Sequence, residues 1–363
     1  MPTIADAGRL VTGGVDTHAG MHVAGVTDQV GRVMGTREFP ATTEGYAAAL
    51  AWMRGHGELA KVGVEGTGSY GAGLARYLAA EGIEVAEVMR PNRQARRRRG
   101  KSDAADAIAA ALAALNGEAS GQPKSGDGAV ESIRALQVAR RGAVKARTQA
   151  GNQLRGLIIT APQALREKLA GLSAPEQIKL AARFRPGDLT SPAEAVKAAM
   201  ATVARRHQAL AAEIAQLDTA LETLVAHAAP AGFRDRTGVG TRVAATLLVT
   251  VGDNPARLRT EASFAALCGA SPVDASSGKQ RRHRLNRGGD RQANSALWRI
   301  VFTRMATDPR TQAYVARRTT EGKTTREIIR CLKRYVAREI YKTLTADTRK
   351  QHQATQITHD HLT

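Results

Sequence analysis

The chain has 363 residues, and its 53 Lys and Arg against 33 Asp and Glu give a formal net charge of +20. This length supports two or three hydrophobic cores, and the positive excess indicates a polyanionic partner such as nucleic acid. No apolar run reaches transmembrane length, which argues against a membrane protein. Residues 1–10 lack a signal-peptide pattern, which argues against export, and the chain has no CxxC pair, which argues against a zinc site.

Residues 10–115 alternate between strand and helix patterns. The predicted order is three strands at 10–16, 22–28 and 33–39, a helix at 43–56, a strand at 61–65, a helix at 70–80, a strand at 83–89 and a helix from 103. Three consecutive strands followed by α/β alternation is the order of the ribonuclease H type fold. We therefore expect an N-terminal α/β domain of that type.

Four carboxylates fall at special places in this pattern. Asp16 and Glu65 close apolar strands, and Asp103 and Asp106 open a helix after Ser102. Acids from separate elements that converge on one point suit Mg²⁺ or Mn²⁺ and leave coordination positions for a phosphate. The alternative for the helical pair is structural, because acids in a first turn are favoured by the helix dipole alone. Taken together, the four predict a metal site for phosphoryl transfer.

A competing motif lies beside Glu65. Gly66, Gly68 and Gly71 form G-x-G-x-x-G between a strand and a helix, and Glu87 follows about twenty residues later, as in dinucleotide-binding proteins. The strand is the fourth of its unit instead of the first, and a basic stretch follows. We therefore interpret the glycines as a tight turn beside Glu65.

Two basic stretches are candidate nucleic-acid contacts. The first precedes the Asp103 helix and the second lies late in the chain; a solvated loop or simple electrostatic tethering is the plainer interpretation of each. Aromatic residues make up only 4% of the chain, so phosphate contacts are expected to outweigh base stacking. The candidate residues are Arg93, Arg96, Arg97, Arg98, Arg99 and Lys101 in the first stretch, and Lys279, Arg281, Arg282, Arg284 and Arg287 in the second.

Residues 116–128 are predicted to form a flexible linker, after which a helical region begins. Apolar residues there recur at alternating spacings of four and three, which is typical of a coiled-coil seam. Either the seam joins two subunits, or the helix packs against the basic helix predicted at 130–157. The seam residues are Val196, Met200, Val203, His207, Leu210, Ile214, Leu217, Leu221 and Leu224.

The C-terminal third carries shorter signals. A Gly-Val-Gly turn at 238–240 precedes an apolar helix predicted at 243–251; it resembles a helix-hairpin-helix element that presents backbone N–H groups to phosphate, or is a plain helix start. The segment GASPVDASSG at 269–278 then leads into the second basic stretch. On residue type alone, a serine pair before glycine is ordinarily a turn.

These motifs, in this order, resemble the IS110 family of bacterial transposases, also called bridge-RNA-guided recombinases. The resemblance rests on the acids Asp16, Glu65, Asp103 and Asp106, the distant Gly-Val-Gly turn, G-x-x-P with Ser-Ser-Gly, and the late segment REIIRCLKRYVAREIYKTL. It runs from about residue 12 to residue 345.

The resemblance implies a three-domain protein with a ribonuclease H-like (RuvC-like) DEDD domain at 1–125, a helical coiled-coil domain at 126–230 and a mostly helical transposase domain at 231–345, before a polar tail at 346–363. It implies that Ser276 is a nucleophile, with Ser277 as the neighbouring alternative. Its expected partners are donor and target double-stranded DNA, a guide RNA and further copies of the chain as a dimer or tetramer. Its expected location is the bacterial cytoplasm, at the nucleoid.

Two other functions remain open at this point. A metal-dependent, junction-resolvase-like endonuclease would use the four acids and water, with Ser276 a bystander. A noncatalytic nucleic-acid-binding protein would need neither. The nuclease differs from the recombinase in forming no covalent protein–DNA adduct, and the binding protein differs from both in cleaving no strand.

Overall fold

The computed structural model describes residues 8–88, 102–119, 121–277 and 283–346. The chain divides into two compact units, one comprising residues 1–126 and 251–259 and the other comprising 127–250 and 260–363. The three-domain division expected from the sequence remains a prediction. No helix in the described ranges combines the length and the apolar character that a bilayer span requires.

The first unit is built on a five-stranded sheet of order β3-β2-β1-β4-β5. Its first three strands form an antiparallel meander, and β4 and β5 run parallel to β1, as the sequence pattern predicted. The strands are β1 Leu10–Thr17, β2 Met21–Asp28, β3 Val33–Pro40, β4 Glu58–Glu65 and β5 Glu84–Val88; the helices are α1 Thr43–Arg54, α2 Ala72–Ala80 and α3 Asp103–Leu115.

The core of this unit lies between the sheet and the helices α1 and α2. Val15, Val62 and Val64 of the central strands pack with Met53 and Leu78, and each is at most 1% exposed. Burying a side chain of this size stabilises the fold by roughly 1.5–3 kcal/mol relative to exposure.

Glycines allow α3 to lie directly against three neighbouring strands. A Cβ atom added at Gly14 would come within 2.1 Å of Ala111 N, one at Gly63 within 2.4 Å of Ala110 O, and one at Gly25 within 2.6 Å of the Ile108 side chain. These distances are far below van der Waals contact, so a side chain at Gly14 or Gly63 would force the backbone of α3 away from the sheet. We call Gly14, Gly25 and Gly63 the glycine track.

The segment predicted as a flexible linker is tied down over part of its length. Glu87 N donates to Gly121 O, and Asn254 bridges Ser125 N and Pro123 O through its side-chain amide. Because the tie comes from a residue about 130 positions later in the chain, no local pattern could have predicted it. The flexible-linker interpretation of residues 116–128 stays a prediction, and Gly121, Pro123 and Ser125 are hydrogen-bonded to other parts of the first unit.

The second unit begins with two long antiparallel helices, α4 Ala129–Ile159 and α7 Pro192–Ala228. Arg140 pairs with Asp218 at one end, and the side chains of Gln153 and Arg206 bond further along. The short helices α5 Gln163–Leu169 and α6 Ala174–Ala181 complete a small core at the far end. The seam helix thus packs against the basic helix of its own chain.

The two rows of the predicted seam have different environments. In one row Met200, Ile214 and Leu221 are buried, whereas in the other Leu210, Leu217 and Leu224 keep intermediate exposure. We call this second set the half-exposed row. The intramolecular alternative accounts for the buried row, and an intermolecular seam remains a prediction for the half-exposed row only.

After α7, the described residues form five further α-helices and a two-stranded hairpin. Gly238 has a φ of +87° and its backbone approaches Ile300, so this turn of the Gly-Val-Gly segment serves close packing. Arg304 and Arg236 both pair with Glu339, joining three parts of the unit. The elements are α8 Thr241–Val251, α9 Glu261–Leu267, β6 Val273–Asp274, β7 His283–Arg284, α10 Arg291–Thr307, α11 Pro309–Thr320 and α12 Thr325–Leu344.

Candidate active site

Glu65 is the last residue of β4, and Asp16 is the last but one of the neighbouring parallel strand β1. The register aligns Val15 with Val64, so the following residues lie side by side at the same sheet edge. The Thr17 hydroxyl donates to Glu65 O at 2.8 Å and holds the two strand ends together. Asp16 is buried and Glu65 has intermediate exposure. This edge is where α/β sheets usually place ligands.

The helix α3 brings the second pair of acids to the sheet. Ser102 caps it by accepting a hydrogen bond from Ala105 N at 3.2 Å, which fixes where the helix begins. Asp103 is exposed and Asp106, one turn on, is buried. The glycine track lets the part of α3 that follows, from Ala107 to Ala111, lie directly against the sheet.

His18 joins Asp16 and Asp103 in a compact group. Its Nε2 atom lies 3.2 Å from Asp16 Oδ2 and 3.6 Å from Asp103 Oδ2, and one ligand atom from each of the three residues lies within 4.8 Å of the others. We call these residues the Asp-His-Asp cluster. Glu65 and Asp106 are not members of it. The structure therefore brings two of the four predicted acids together, with a histidine that sequence reasoning missed.

The spacing Asp16-Thr17-His18 is the sequence feature that could have indicated His18 as a site residue. Residues i and i+2 of an extended segment project from one face, so a histidine two positions after a strand-end acid lies beside it. The histidine follows the last residue of β1, in the turn where His18 N donates to Met21 O. The strand pattern ends before this turn, so it did not draw attention to His18.

His22 lies behind this turn. Its ring stacks on Tyr46 with centroids 5.6 Å apart, and its Nδ1 lies 3.4 Å from His18 N. Burial lowers the pKa of His22, because an imidazolium ion is poorly solvated there. The lowered pKa favours the uncharged form of this imidazole beside the acids.

The glycine motif after β4 forms a tight turn, as predicted. Gly66 adopts a φ of +69°, and a Cβ atom at Gly71 would lie 2.7 Å from Glu65 O. The Thr67 hydroxyl donates to Glu87 Oε1 at 2.7 Å, so the acid that would bind a ribose in a dinucleotide site has a protein partner. These contacts favour the interpretation of the glycine motif as a tight turn over its interpretation as a dinucleotide-binding site.

Ser276 lies in the second unit, just after the hairpin strand β6. It is exposed, and its backbone N–H donates to Asp274 Oδ1 at 2.8 Å. A hydrogen bond from the Ser276 hydroxyl is the main cause that lowers the pKa of Asp274, so this carboxylate stays ionised beside the hydroxyl. Asp274 was not predicted as a site residue. Ser277 is also exposed.

The predicted basic residues are only partly within the described chain. Arg284 and Arg287 are described and both are exposed. The others lie outside the described residues; they are Arg93, Arg96, Arg97, Arg98, Arg99, Lys101, Lys279, Arg281 and Arg282.

The Asp-His-Asp cluster fits a divalent metal ion by its chemistry. A buried carboxylate and an exposed one share a point with an imidazole nitrogen, and all three groups are ordinary ligands of divalent transition metals. Carboxylates gathered this closely repel one another unless a cation lies between them. The identity of the metal depends on whether His18 takes part, because Mg²⁺ prefers oxygen ligands.

Comparison with known proteins agrees with this arrangement. A transposase family model of the DEDD type found in IS110 matches residues 13–160, and a second model, for the transposase IS116/IS110/IS902 family, matches residues 233–316. An uncharacterized 43.6 kDa protein of insertion element IS110 from Streptomyces coelicolor is 37% identical over 119 residues, which is 32% of this chain and 28% of that protein. The match thus spans little more than a quarter of that relative.

The mixed α/β sheet with strand-end acids fits a ribonuclease H-like DEDD domain. Together the two family models cover more than half of the chain; the first includes the long helix α4, and the second begins after α7. The chain belongs to the IS110 family of transposases.

Proposed function

We propose that this protein is a DNA transposase that cuts and rejoins strands through a serine-linked intermediate, with divalent metal ions bound by its acids. The observation that carries the proposal is the Asp-His-Asp cluster at the strand ends of a DEDD-type domain. Asp16, Asp103 and His18 would be the inner ligands, with Glu65 and Asp106 completing the set. Bound there, Mg²⁺ or Mn²⁺ would neutralise charge that develops on a phosphate.

Ser276 is the proposed nucleophile. Its hydroxyl oxygen forms a bond to phosphorus, the bond from phosphorus to the 3′ oxygen breaks, and the released oxygen takes a proton to become a 3′-hydroxyl. The hydroxyl proton of Ser276 passes to Asp274, which already accepts its hydrogen bond. The phosphoserine ester retains the bond energy, so the oxygen of a different 3′-hydroxyl can bond to phosphorus without ATP. The bond from phosphorus to the Ser276 oxygen then breaks, the serine takes back its proton from Asp274, and the attacking hydroxyl loses its own proton to solvent.

The proposal includes an oligomer and a guide RNA. The half-exposed row on α7 offers an apolar surface for a second copy, and the net charge of +20 suits a protein that holds duplexes by their backbones. Base pairing of a bridge RNA with donor and target DNA would supply sequence choice, in keeping with the low aromatic content. This part of the proposal rests on family membership.

The decisive experiment traps the covalent intermediate. Full-length protein is incubated with the DNA of its element, the RNA transcribed beside it, and Mg²⁺, and is then denatured. We expect a DNA-bound species that peptide mapping places on Ser276. Ser276→Ala should lose the adduct while nucleic-acid binding persists, and Ser277→Ala is the matched neighbour that should keep it.

One observation favours a second candidate, the water-using endonuclease. All members of the Asp-His-Asp cluster belong to the first unit, so hydrolysis would need no residue of the second. Metal-dependent cleavage that persists in Ser276→Ala without any adduct would establish this alternative. An adduct on Ser277 would instead move the nucleophile by one residue.

A further inference from the structure

A wide basin lies beside the hairpin that precedes Ser276, wholly within the second unit. Its volume is about 1300 Å³, above the roughly 300–1,000 Å³ of typical small-molecule pockets. Its walls are the loop 269–272, the segment 283–286 and the residues 318–338 of α11, α12 and the turn between them. The cations that line it are Arg284, Arg318, Lys323, Arg326, Arg330, Lys333, Arg334 and Arg338. We call it the cationic basin.

Some of these cations are neutralised within the fold. Glu261 pairs with Arg334 and Arg338, and Glu321 pairs with Arg318. Glu327 lies 4.0 Å from Arg330 and also caps α12 through Thr324. Among the described residues no carboxylate forms an ion pair with the remaining four, which are Arg284, Lys323, Arg326 and Lys333. The basin therefore has an excess of positive charge.

Lys333 is the unusual member of this set. It is 6% exposed, and its Nζ donates to Asn294 Oδ1 at 2.9 Å. The Asn294 Nδ2 atom donates to Cys268 O and Gly269 O, so the amide is held with its oxygen toward the lysine. A neutral amide satisfies one hydrogen of the ammonium group but leaves its charge uncompensated. Burial and the neighbouring Arg330 lower the pKa of Lys333, as expected of a cation that lacks a counter-ion.

The side chains that line the basin indicate which kind of ligand it binds. Ligand pockets for small organic molecules are mostly apolar, whereas this one is lined by guanidinium and ammonium groups. Arginine forks and lysine ammonium groups are the usual partners of phosphate oxygens. The size of the basin exceeds a single phosphate group, so a polymer that presents several phosphates fits best.

We propose that the cationic basin binds the phosphodiester backbone of a nucleic-acid strand, with Lys333 coordinating one phosphate at its base. Because β7 forms part of the wall and pairs with β6, which ends two residues before Ser276, the wall of the basin and the proposed nucleophile belong to the same hairpin. This inference deepens the proposed function, since it gives the serine unit its own substrate contact. DNA and RNA share the backbone chemistry, and the experiment distinguishes them.

The test measures equilibrium binding of the full-length chain to a mixed-sequence DNA duplex and to an RNA duplex of the same sequence, with EDTA present so that no cleavage occurs. Lys333→Gln and Arg326→Gln are compared with Lys342→Gln, which removes an exposed cation from the same helix outside the basin. We expect each basin variant to bind about tenfold more weakly and to lower the slope of log K against log salt by about one. Lys342→Gln should match the wild type.

The nucleic acid, DNA or RNA, whose affinity falls more in the basin variants is the one that occupies the basin. Equal losses in all three variants would overturn the proposal, because general electrostatic attraction would then explain them. Unchanged binding in both basin variants would overturn it too and leave Lys333 as a group that only orients Asn294. If Lys333→Gln fails to fold, the exposed Arg326 decides the outcome. A missing Ser276 adduct with intact basin effects would refute the proposed chemistry alone.

Discussion

The carboxylate of Asp16 lies at the end of a buried strand, where an ionised group costs several kcal/mol unless it is paired. His18 lies 3.2 Å away and also reaches Asp103, so the cluster offers a metal one imidazole nitrogen beside its two carboxylates. Sequence reasoning found the acids because strands and helix starts have clear patterns. It missed His18 because turn residues have no such period.

Replacing His18 tests its part in metal binding. We expect His18→Gln to weaken Mn²⁺ binding by about tenfold and Mg²⁺ binding less, because imidazole nitrogen suits transition metals better than Mg²⁺. Titration calorimetry of the full chain with each metal measures this. His56→Gln is the control, since His56 packs on Trp52 just before β4 begins, away from the strand end that holds Glu65. Tighter Mg²⁺ binding in His18→Gln would show that His18 competes with the metal.

Asp274 is the second residue that only the structure revealed, since its link to Ser276 is a turn of two residues and not a recognised spacing. If it accepts the serine proton, Asp274→Asn should slow adduct formation by at least about 10²-fold while duplex binding stays unchanged. Asp188→Asn is a matched control, because Asp188 accepts the same two hydrogen bonds from Thr190 in a turn before α7. Adduct formation at the wild-type rate in Asp274→Asn would assign Asp274 to turn structure only.

At the scale of elements, most of the first unit followed from the sequence. The three-strand meander, the parallel strand that ends at Glu65 and the helix that begins at Asp103 all appear where the hydrophobic pattern placed them. The pattern did not predict how closely α3 approaches the sheet. That distance depends on which backbone atoms of α3 lie opposite the glycines. The position of the helix along the strands is known only from the three-dimensional structure.

The glycine track makes a quantitative prediction. Gly14→Ala places a Cβ atom 2.1 Å from Ala111 N, so α3 must move, and overpacking of this kind costs about 1–3 kcal/mol or more. We expect a lower Tm and, because Asp103 moves with the helix, weaker metal binding. Gly142→Ala is the control: Gly142 is exposed within α4 with no atom near the added methyl group, and the change should stabilise by about 0.5–1 kcal/mol. A neutral Gly14→Ala variant would contradict the close approach.

At the scale of the whole molecule, the seam helix illustrates what a periodic pattern determines. A heptad pattern shows that a helix has an apolar stripe but not which partner covers it. In this chain Met200, Ile214 and Leu221 are buried on a helix that packs along α4, and the half-exposed row keeps the surface that an oligomer would use. The buried row agrees with the predicted stripe, and the coiled-coil seam with a second subunit stays a prediction.

Charge placed on the half-exposed row tests the oligomer. Leu217→Lys should reduce the oligomer to monomer with little loss of folded structure, because a long amphipathic side chain at an intermediate position can extend to solvent. Sedimentation velocity measures the assembly and circular dichroism the fold. Ile214→Lys is the contrasting variant: it buries a charge against α4 and should unfold the pair. An unchanged oligomer in Leu217→Lys would place the subunit interface elsewhere.

The glycine track also determines which changes this family member can tolerate during evolution. At Gly14 and Gly63 the backbone of the strand contacts the backbone of α3. This contact requires a residue without a Cβ atom, so no other amino acid at either position can preserve it. A saturation library should therefore accept Ile at Val62 or Val64 far more often than Ala at either glycine. We therefore expect Gly14 and Gly63 to stay unchanged while other positions of the domain vary.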